Sequence, residues 1–143
     1  SLEEMISVAT AFAEAGDGGA MVRLGRAHRD GKGVSKNPIK SATYFSAAVN
    51  RNVKWAINEL YDVVVINNLS GYNLEDIVKK IEVLAESRDV NAMGHLGLAY
   101  RDGKGVERDI NLSEEWMKKA ADNGLSWAKR ELPRLTTERA RND

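Results

Sequence analysis

AMVRLGRAHRDGKGV at residues 20–34 returns as AMGHLGLAYRDGKGV at residues 92–106. The similarity extends beyond this stretch: residues 20–60 align with residues 92–132 without a gap, and 17 of the 41 pairs are identical. Unrelated segments of this length would share about two or three residues. The match therefore predicts a repeat protein, in which each copy is one supersecondary unit that buries its apolar face against its neighbours.

A divergent copy lies between the two clear ones, because the offset of 72 residues is twice 36. Two anchor residues recur every 36 positions: alanine at Ala20, Ala56, Ala92 and Ala128, and leucine at Leu24, Leu60, Leu96 and Leu132. The middle copy keeps this spacing but carries VVVINN, residues 63–68, in place of the glycine loop. We therefore expect a single solenoid domain over residues 1–143. Its parts are a partial unit (1–19), repeat 1 (20–55), a divergent repeat 2 (56–91), repeat 3 (92–127) and a C-terminal helix (128–143).

Within each copy the pattern predicts two helices, here called A and B. In helix A, alanine and leucine recur at helical spacing and form one apolar stripe. The glycine loop, with Gly31 and Gly33 in repeat 1, ends this helix because glycine adopts positive φ values at little cost. Helix B begins at an N-cap residue, which is Asn37, Asn73 or Asp109 in successive copies. The predicted fold is all-α, a solenoid of helix-pair repeats.

This arrangement of residues resembles the Sel-one-like repeat, a relative of the tetratricopeptide repeat. The resemblance is strong in repeats 1 and 3 and rests on spacing alone in repeat 2. Repeat 1 departs from the family pattern at His28, Asn37 and Asn52, where the family has tyrosine, aspartate and glycine. The matching residues of repeat 3 are Ala92, Leu96, Gly97, Tyr100, Gly103, Gly105, Val106, Asp109, Trp116, Ala120, Ala121, Gly124, Ala128 and Leu132. The resemblance implies a right-handed αα-superhelix that serves as a non-catalytic protein-binding scaffold.

The composition argues against several function classes. The 21 basic and 21 acidic side chains give a net charge of zero, so no overall field draws the chain onto nucleic acid or an anionic membrane. There is no cysteine, and therefore no disulfide, thiolate metal site or thiol nucleophile. No apolar run approaches the roughly 18 residues of a membrane-spanning helix. We expect a soluble chain, located in the cytoplasm or, if a leader has been removed, in the periplasm or outside the cell.

No catalytic, cofactor-binding or metal-binding residue is predicted. The only histidines, His28 and His95, do not stand at a metal-ligand spacing. His28 occupies the family's tyrosine position and is expected to pack, whereas His95 is expected at the surface. The Gly-Lys-Gly loop lacks the spacing of a phosphate-binding P-loop. Acidic pairs such as Glu114 and Glu115 stand at helix starts, where the helix dipole favours negative charge.

The strongest surface signal is a row of arginines on the A helices. If the tetratricopeptide register applies, ten positions line a concave groove, and five of them are arginine. The ten positions are Val22, Arg26, Arg29, Asn58, Asp62, Gly94, Leu98, Arg101, Arg130 and Arg134. Such a groove suits an acidic peptide or a free C-terminal carboxylate, because guanidinium groups bind carboxylates through paired hydrogen bonds. The alternative is a solvated face on which Arg29 and Arg101 pair with Asp30 and Asp102.

The sequence leaves three functions open. The first is an interaction scaffold that binds a protein or peptide segment in this groove. The second is a structural or oligomerising element of a larger repeat protein, for example a homodimer formed through repeat 2 or a terminal helix. The third is an enzyme that acts on a polysaccharide or a peptide. In repeat 2, the apolar run at residues 63–66 is either additional core or an exposed surface for a partner.

Overall fold

The computed structural model of the chain describes residues 1–142. Across these residues the chain forms eight helices and no strand, which confirms the all-α prediction. The even-numbered helices are the A helices and the odd-numbered ones are the B helices. Their bounds are α1 Leu2–Glu14, α2 Gly18–Asp30, α3 Pro38–Asn50, α4 Ala56–Ile66, α5 Leu74–Glu86, α6 Val90–Asp102, α7 Ile110–Asp122 and α8 Ser126–Asn142.

The contacts of the chain divide it into two compact units, which are described separately. The first unit ends at Tyr72 and the second begins at Asn73. In the first unit α1, α2, α3 and α4 pack in sequence, each against the next, and in the second unit α5, α6, α7 and α8 do the same. The division falls inside the divergent repeat, in the segment that has lost the glycine loop. A single domain over residues 1–143 stays a prediction.

Side-chain caps begin helices in both units. The predicted caps Asn37, Asn73 and Asp109 each accept a hydrogen bond from a backbone N–H in the first turn of a B helix, as expected. The A helices α2 and α6 have a cap that the repeat pattern did not reveal, Asp17 and Asp89 respectively. With these caps, α2 and α6 begin two residues before the repeat anchors Ala20 and Ala92.

The glycine loops end α2 and α6 and fix the spacing to the preceding B helix. Gly31 and Gly103 follow the helix ends with φ values of 70° and 65°, the left-handed conformation that glycine adopts most readily. The second glycine of each loop lies against the start of a B helix. A β-carbon at Gly33 would lie 3.0 Å from the carbonyl oxygen of Leu2 on α1. Gly105 has the equivalent contact with α5. The loop is therefore a spacer between helices rather than a phosphate cradle.

One contact between helix A and helix B occurs in both faithful repeats. In repeat 1 the Ser41 hydroxyl of α3 donates a buried hydrogen bond of 2.7 Å to the carbonyl oxygen of Gly25 on α2. Phe45, one turn further along α3 and fully buried, lies directly over Gly25. In repeat 3 Ser113 donates the equivalent bond, 2.6 Å long, to the carbonyl oxygen of Gly97. We call this arrangement the A–B contact.

The apolar run of repeat 2 is divided between core and surface. Val63 and Val64 are buried in the first unit, and Val65 is partly buried. Ile66, the last residue of α4, is 78% exposed. The run therefore contributes mainly core, and one side chain at its end faces solvent.

Replacing Gly25 by alanine should destabilise the first unit. The new β-carbon would lie 2.7 to 3.0 Å from the ring of Phe45, which is enclosed and cannot move aside freely. We expect a loss of about 1 to 3 kcal/mol in the free energy of unfolding, measured by urea denaturation. Gly97→Ala should cost less, because the atom nearest to its new β-carbon is the flexible end of Met117 at 3.0 Å, and the backbone atoms of α7 lie at 3.3 and 3.4 Å. A Gly25→Ala variant as stable as the unaltered chain would contradict the A–B contact.

Candidate functional site

In the first unit, the predicted arginines of α2 converge on one carboxylate of α4. Arg26 donates two hydrogen bonds to Glu59, from Nε at 2.9 Å and from Nη2 at 2.6 Å. Arg29 donates a third to Glu59, from Nη1 at 3.0 Å. Arg29 also binds the carboxylate of its neighbour Asp30 with Nε and Nη2. These contacts tie two successive A helices together through charge-assisted hydrogen bonds.

The second unit repeats, 72 residues later, the contacts of Arg29, whereas Leu98 stands in the place of Arg26. Arg101 binds Asp102 with Nε at 2.8 Å and Nη2 at 3.0 Å. Its Nη1 reaches Glu131 of α8 at 3.4 Å. Arg134 also contacts Glu131, at 3.5 Å, but the Arg134 side chain is 80% exposed. The pairing of Arg29 with Asp30 and of Arg101 with Asp102 matches the solvated-face alternative.

The hydrogen bonds of this network favour the charged forms of three arginines and of Asp30. They raise the pKa of Arg26, Arg29 and Arg101 above the ordinary arginine value. For Arg29 the largest cause is the hydrogen bond with Asp30, and the same bond is the largest cause that lowers the pKa of the Asp30 carboxyl. Desolvation opposes these shifts but is outweighed. Each of these groups is therefore ionised at neutral pH.

Other positions of the predicted row do not lie at the surface. Val22 and Asn58 are buried. Gly94 is covered by Trp127, since a β-carbon there would lie 2.5 Å from the indole ring. Asp62 and Leu98 are partly buried. The row thus contains fewer accessible side chains than the helical register suggests.

The accessible arginines of α8 form a separate group. Arg130 and Arg134 stand one turn apart and are both exposed. Within residues 1–142 Arg130 forms no ion pair, and Arg134 has only the long contact with Glu131. Their guanidinium groups have most of their N–H donors available for an external carboxylate.

Trp55 is a surface residue that sequence reasoning missed. Its side chain lies beside the N-terminal end of α4 and is partly exposed. The guanidinium carbon of Arg26 stands 5.6 Å from the centre of its ring, in cation–π contact. Trp55 and Trp127 are 72 residues apart and occupy the same position of the repeat. The sequence therefore draws attention to this position. It does not show that the ring of Trp55 is exposed whereas the ring of Trp127 covers Gly94.

The two histidines both pack inside their units. His28 is buried and stacks on Tyr44, with the ring centres 5.7 Å apart, as predicted. The surface position predicted for His95 is wrong. His95 is buried, meets Trp127 edge to face and forms a 2.7 Å hydrogen bond with the carbonyl oxygen of Asn91. Its burial follows from the position of Trp127, which the sequence of α6 does not reveal.

Residues 1–142 hold no group of three or more histidine, aspartate or glutamate side chains placed to bind a metal ion. In the same part of the chain, no helix has the length and apolar character needed to cross a membrane.

The repeats match a known family. The Sel1 repeat model matches residues 18–53 and 90–125, which together make up half of the chain. The chain belongs to the Sel1 repeat family. The two matched segments begin where α2 and α6 begin, directly after the caps Asp17 and Asp89. Sel1 repeats form a scaffold family that generally mediates protein interactions and is generally non-catalytic.

Two solved structures share the fold of this Sel1 repeat chain. A Sel1 repeat protein from Oxalobacter formigenes matches with a TM-score of 0.74 and 21% identity, over 92% of this chain and 53% of its own. A protective antigen of uropathogenic Escherichia coli strains, which displays an SLR fold, matches with a TM-score of 0.72 and 24% identity. That match covers 92% of this chain and 28% of the antigen. The chain thus spans about half the length of the first relative and under a third of the second. No curated protein matches the sequence.

Replacing Glu59 by glutamine should lower the stability of the first unit of this Sel1 repeat protein. The change removes the charge that two arginines share, so we expect a loss of up to about 1 kcal/mol in the free energy of unfolding. Glu131→Gln should cost less, because the contacts of Glu131 are 3.4 and 3.5 Å long. Urea denaturation at low salt and at about 1 M salt measures both losses of stability. The difference between the two losses should shrink at high salt, because salt screens ion pairs at the surface. Equal losses, or losses that salt does not change, would contradict the network.

Proposed function

We propose that this chain is an interaction scaffold that holds an acidic segment of another protein through exposed arginines on its A helices. The observation that carries the proposal is the pair Arg130 and Arg134 on α8. Both side chains are exposed, they stand one turn apart, and their donors are largely unused within residues 1–142. Two guanidinium groups at this spacing suit two carboxylates of a bound segment, or one carboxylate held from both sides.

The arginines of the row have different roles in this proposal. Arg29 and Arg101 each use Nε, Nη1 and Nη2 for carboxylates of their own unit. They stabilise the packing of successive A helices and have little capacity for a ligand. Arg26 binds Glu59 through Nε and Nη2 only, so its Nη1 stays available. In the first unit Arg26 is therefore the arginine of the row that supports ligand binding.

The test is binding of acidic peptides to a charge-reversed chain. We would measure fluorescence polarisation with labelled peptides rich in aspartate and glutamate, and with their asparagine and glutamine counterparts. Arg130→Glu combined with Arg134→Glu should weaken binding of the acidic peptides at least about tenfold, because attraction becomes repulsion at both positions. The matched control is Lys79→Glu combined with Lys80→Glu, an equal charge change on exposed residues of α5.

Two results would contradict the proposed function. One is equal binding of the acidic peptides to both double variants. The other is equal binding of the acidic and amide peptides to the unaltered chain. Circular dichroism of both variants verifies that the helices are retained. We expect them to be, because all four replaced side chains are exposed to solvent.

A further inference from the structure

Trp55 presents its ring to solvent at the start of α4. The equivalent ring 72 residues later, that of Trp127, lies on Gly94 of the preceding A helix. In the first unit the residue that corresponds to Gly94 is Val22, whose side chain is buried. Because this side chain occupies the space above the backbone of α2, the ring of Trp55 has no equivalent place to lie, and Trp55 is 44% exposed.

The guanidinium group of Arg26 lies beside this ring. Its carbon atom is 5.6 Å from the ring centre, and its Nε and Nη2 atoms donate to Glu59, which is also on α4. The N–H groups of Nη1 have no acceptor in the part of the chain that the structure describes. An apolar ring and unused charged donors therefore stand next to each other. We call this pair the Trp55–Arg26 site.

The ring belongs to the interior of the chain rather than to its beginning. The open cleft between α1 and α2 is lined by Arg23 and Arg26 but not by Trp55. The bonds to Glu59 direct the guanidinium group of Arg26 to α4. The exposure of the ring thus comes from the packing at Val22 and not from the residue at which the sequence starts.

The charge beside the ring is positive. Arg26 and Arg29 are balanced by Glu59 and Asp30, with which they form ion pairs. The exposed Lys54 precedes Trp55 in the chain and forms no ion pair with any described residue. The ring therefore stands between an arginine with unused donors and an unpaired lysine, which favours a ligand with negative charge.

The two groups of the site suit a ligand that has an aromatic ring next to a carboxylate. Aromatic rings pack on each other in offset or edge-to-face pairs, and a guanidinium group donates charge-assisted hydrogen bonds to a carboxylate. Tryptophan and arginine are also the residues that most often dominate the binding energy of an interface. An acidic residue alone would leave the ring of Trp55 without a partner.

We propose that the Trp55–Arg26 site selects an acidic segment of another protein in which an aromatic residue adjoins an aspartate or glutamate. The aromatic ring packs on Trp55, and the carboxylate accepts hydrogen bonds from Nη1 of Arg26. This inference rests on the proposed function, because it concerns the same class of ligand. It adds a requirement for an aromatic side chain, which the arginines alone do not impose.

A second copy of the chain is a poor source of such a segment. An acidic residue adjoins an aromatic one at only two places in the sequence, Tyr61 with Asp62 and Glu115 with Trp116. The ring of Tyr61 is buried. The ring of Trp116 already has the ammonium group of Lys119 at 4.4 Å from its centre.

The test follows the indole N–H signal of Trp55 in NMR spectra of the full chain. Four peptides share one sequence except at two adjacent positions, which hold Asp or Asn and Phe or Ser. The Asp–Phe peptide should shift the Trp55 signal and bind there about fivefold more tightly than the Asp–Ser peptide, as expected for one aromatic pair. The Asn–Phe peptide should also bind more weakly, because it lacks the charge. The signal of Trp116 on α7 should not move.

Replacing the ring tests its role. Trp55→Asn introduces a favoured N-cap residue where Trp55 forms no side-chain cap, so α4 should be retained. In fluorescence polarisation this variant should bind the Asp–Phe and Asp–Ser peptides equally, whereas Trp55→Phe should keep the preference for phenylalanine. Trp116→Asn is the matched control, since Trp116 is also a partly exposed ring beside a cation, and it should keep the preference too.

Failure of this inference and failure of the proposed function give different results. Equal binding of the Asp–Phe and Asp–Ser peptides, with both preferred over their Asn counterparts, would overturn the inference alone. Equal binding of the Asp and Asn peptides would overturn both proposals. The NMR titration uses the unaltered chain, so these outcomes do not depend on the folding of any variant.

Three further results would overturn the inference. One is a Trp55 signal that the Asp–Phe peptide does not move at about 1 mM. Another is a preference for phenylalanine that survives in Trp55→Asn. The third is a dimer of the unaltered chain, seen by sedimentation and lost in Trp55→Asn, which would assign the site to a second copy.

Discussion

The A–B contact is the interaction on which the rest of the structure depends. A serine hydroxyl of helix B donates to a glycine carbonyl oxygen of helix A, and a large side chain one turn further covers that glycine. Because glycine has no side chain, the two backbones approach closely enough for the hydroxyl to reach the carbonyl. Glycine lowers the intrinsic stability of helix A by about 1 kcal/mol, and the close packing offsets that loss. The same chemistry at Gly25 and Gly97 gives both faithful repeats one geometry.

This geometry determines which arginines have unused N–H donors. Once α2 lies on α3 and α3 lies on α4, Arg29 at the end of α2 reaches Glu59 on α4. The same packing in the second unit brings Arg101 to Glu131. Partly exposed ion pairs contribute little free energy each, so these pairs orient neighbouring helices more than they stabilise them. Because Arg29 and Arg101 use Nε, Nη1 and Nη2 in these pairs, the arginines of the row with unused N–H donors are Arg26, Arg130 and Arg134.

The sequence predicts most of the fold, because the repeat places the same local signals at the same spacing. The glycine loops, the N-caps of the B helices and the helix order all follow from residues close together in the chain. The candidate functional surface depends on contacts between residues far apart in the chain. Glu59 lies 30 residues beyond Arg29, and no local pattern links the two.

Burial was the feature that the register predicted least well. Val22 and Asn58 occupy positions expected to face a groove, yet both are buried. In the second unit, His95 is buried under Trp127, a side chain of the next A helix. A helical register indicates which direction a residue points, but not which side chain of another helix covers it.

The most direct test of the central role of the A–B contact is to remove its hydrogen bond in each unit. Ser41→Ala and Ser113→Ala should each lower the free energy of unfolding by about 1 kcal/mol, and by similar amounts because the two bonds are 2.7 and 2.6 Å long. Ser87→Ala, which removes an exposed bond within the end of α5, is the control and should change stability little. Two buried-serine variants as stable as the control would contradict the account.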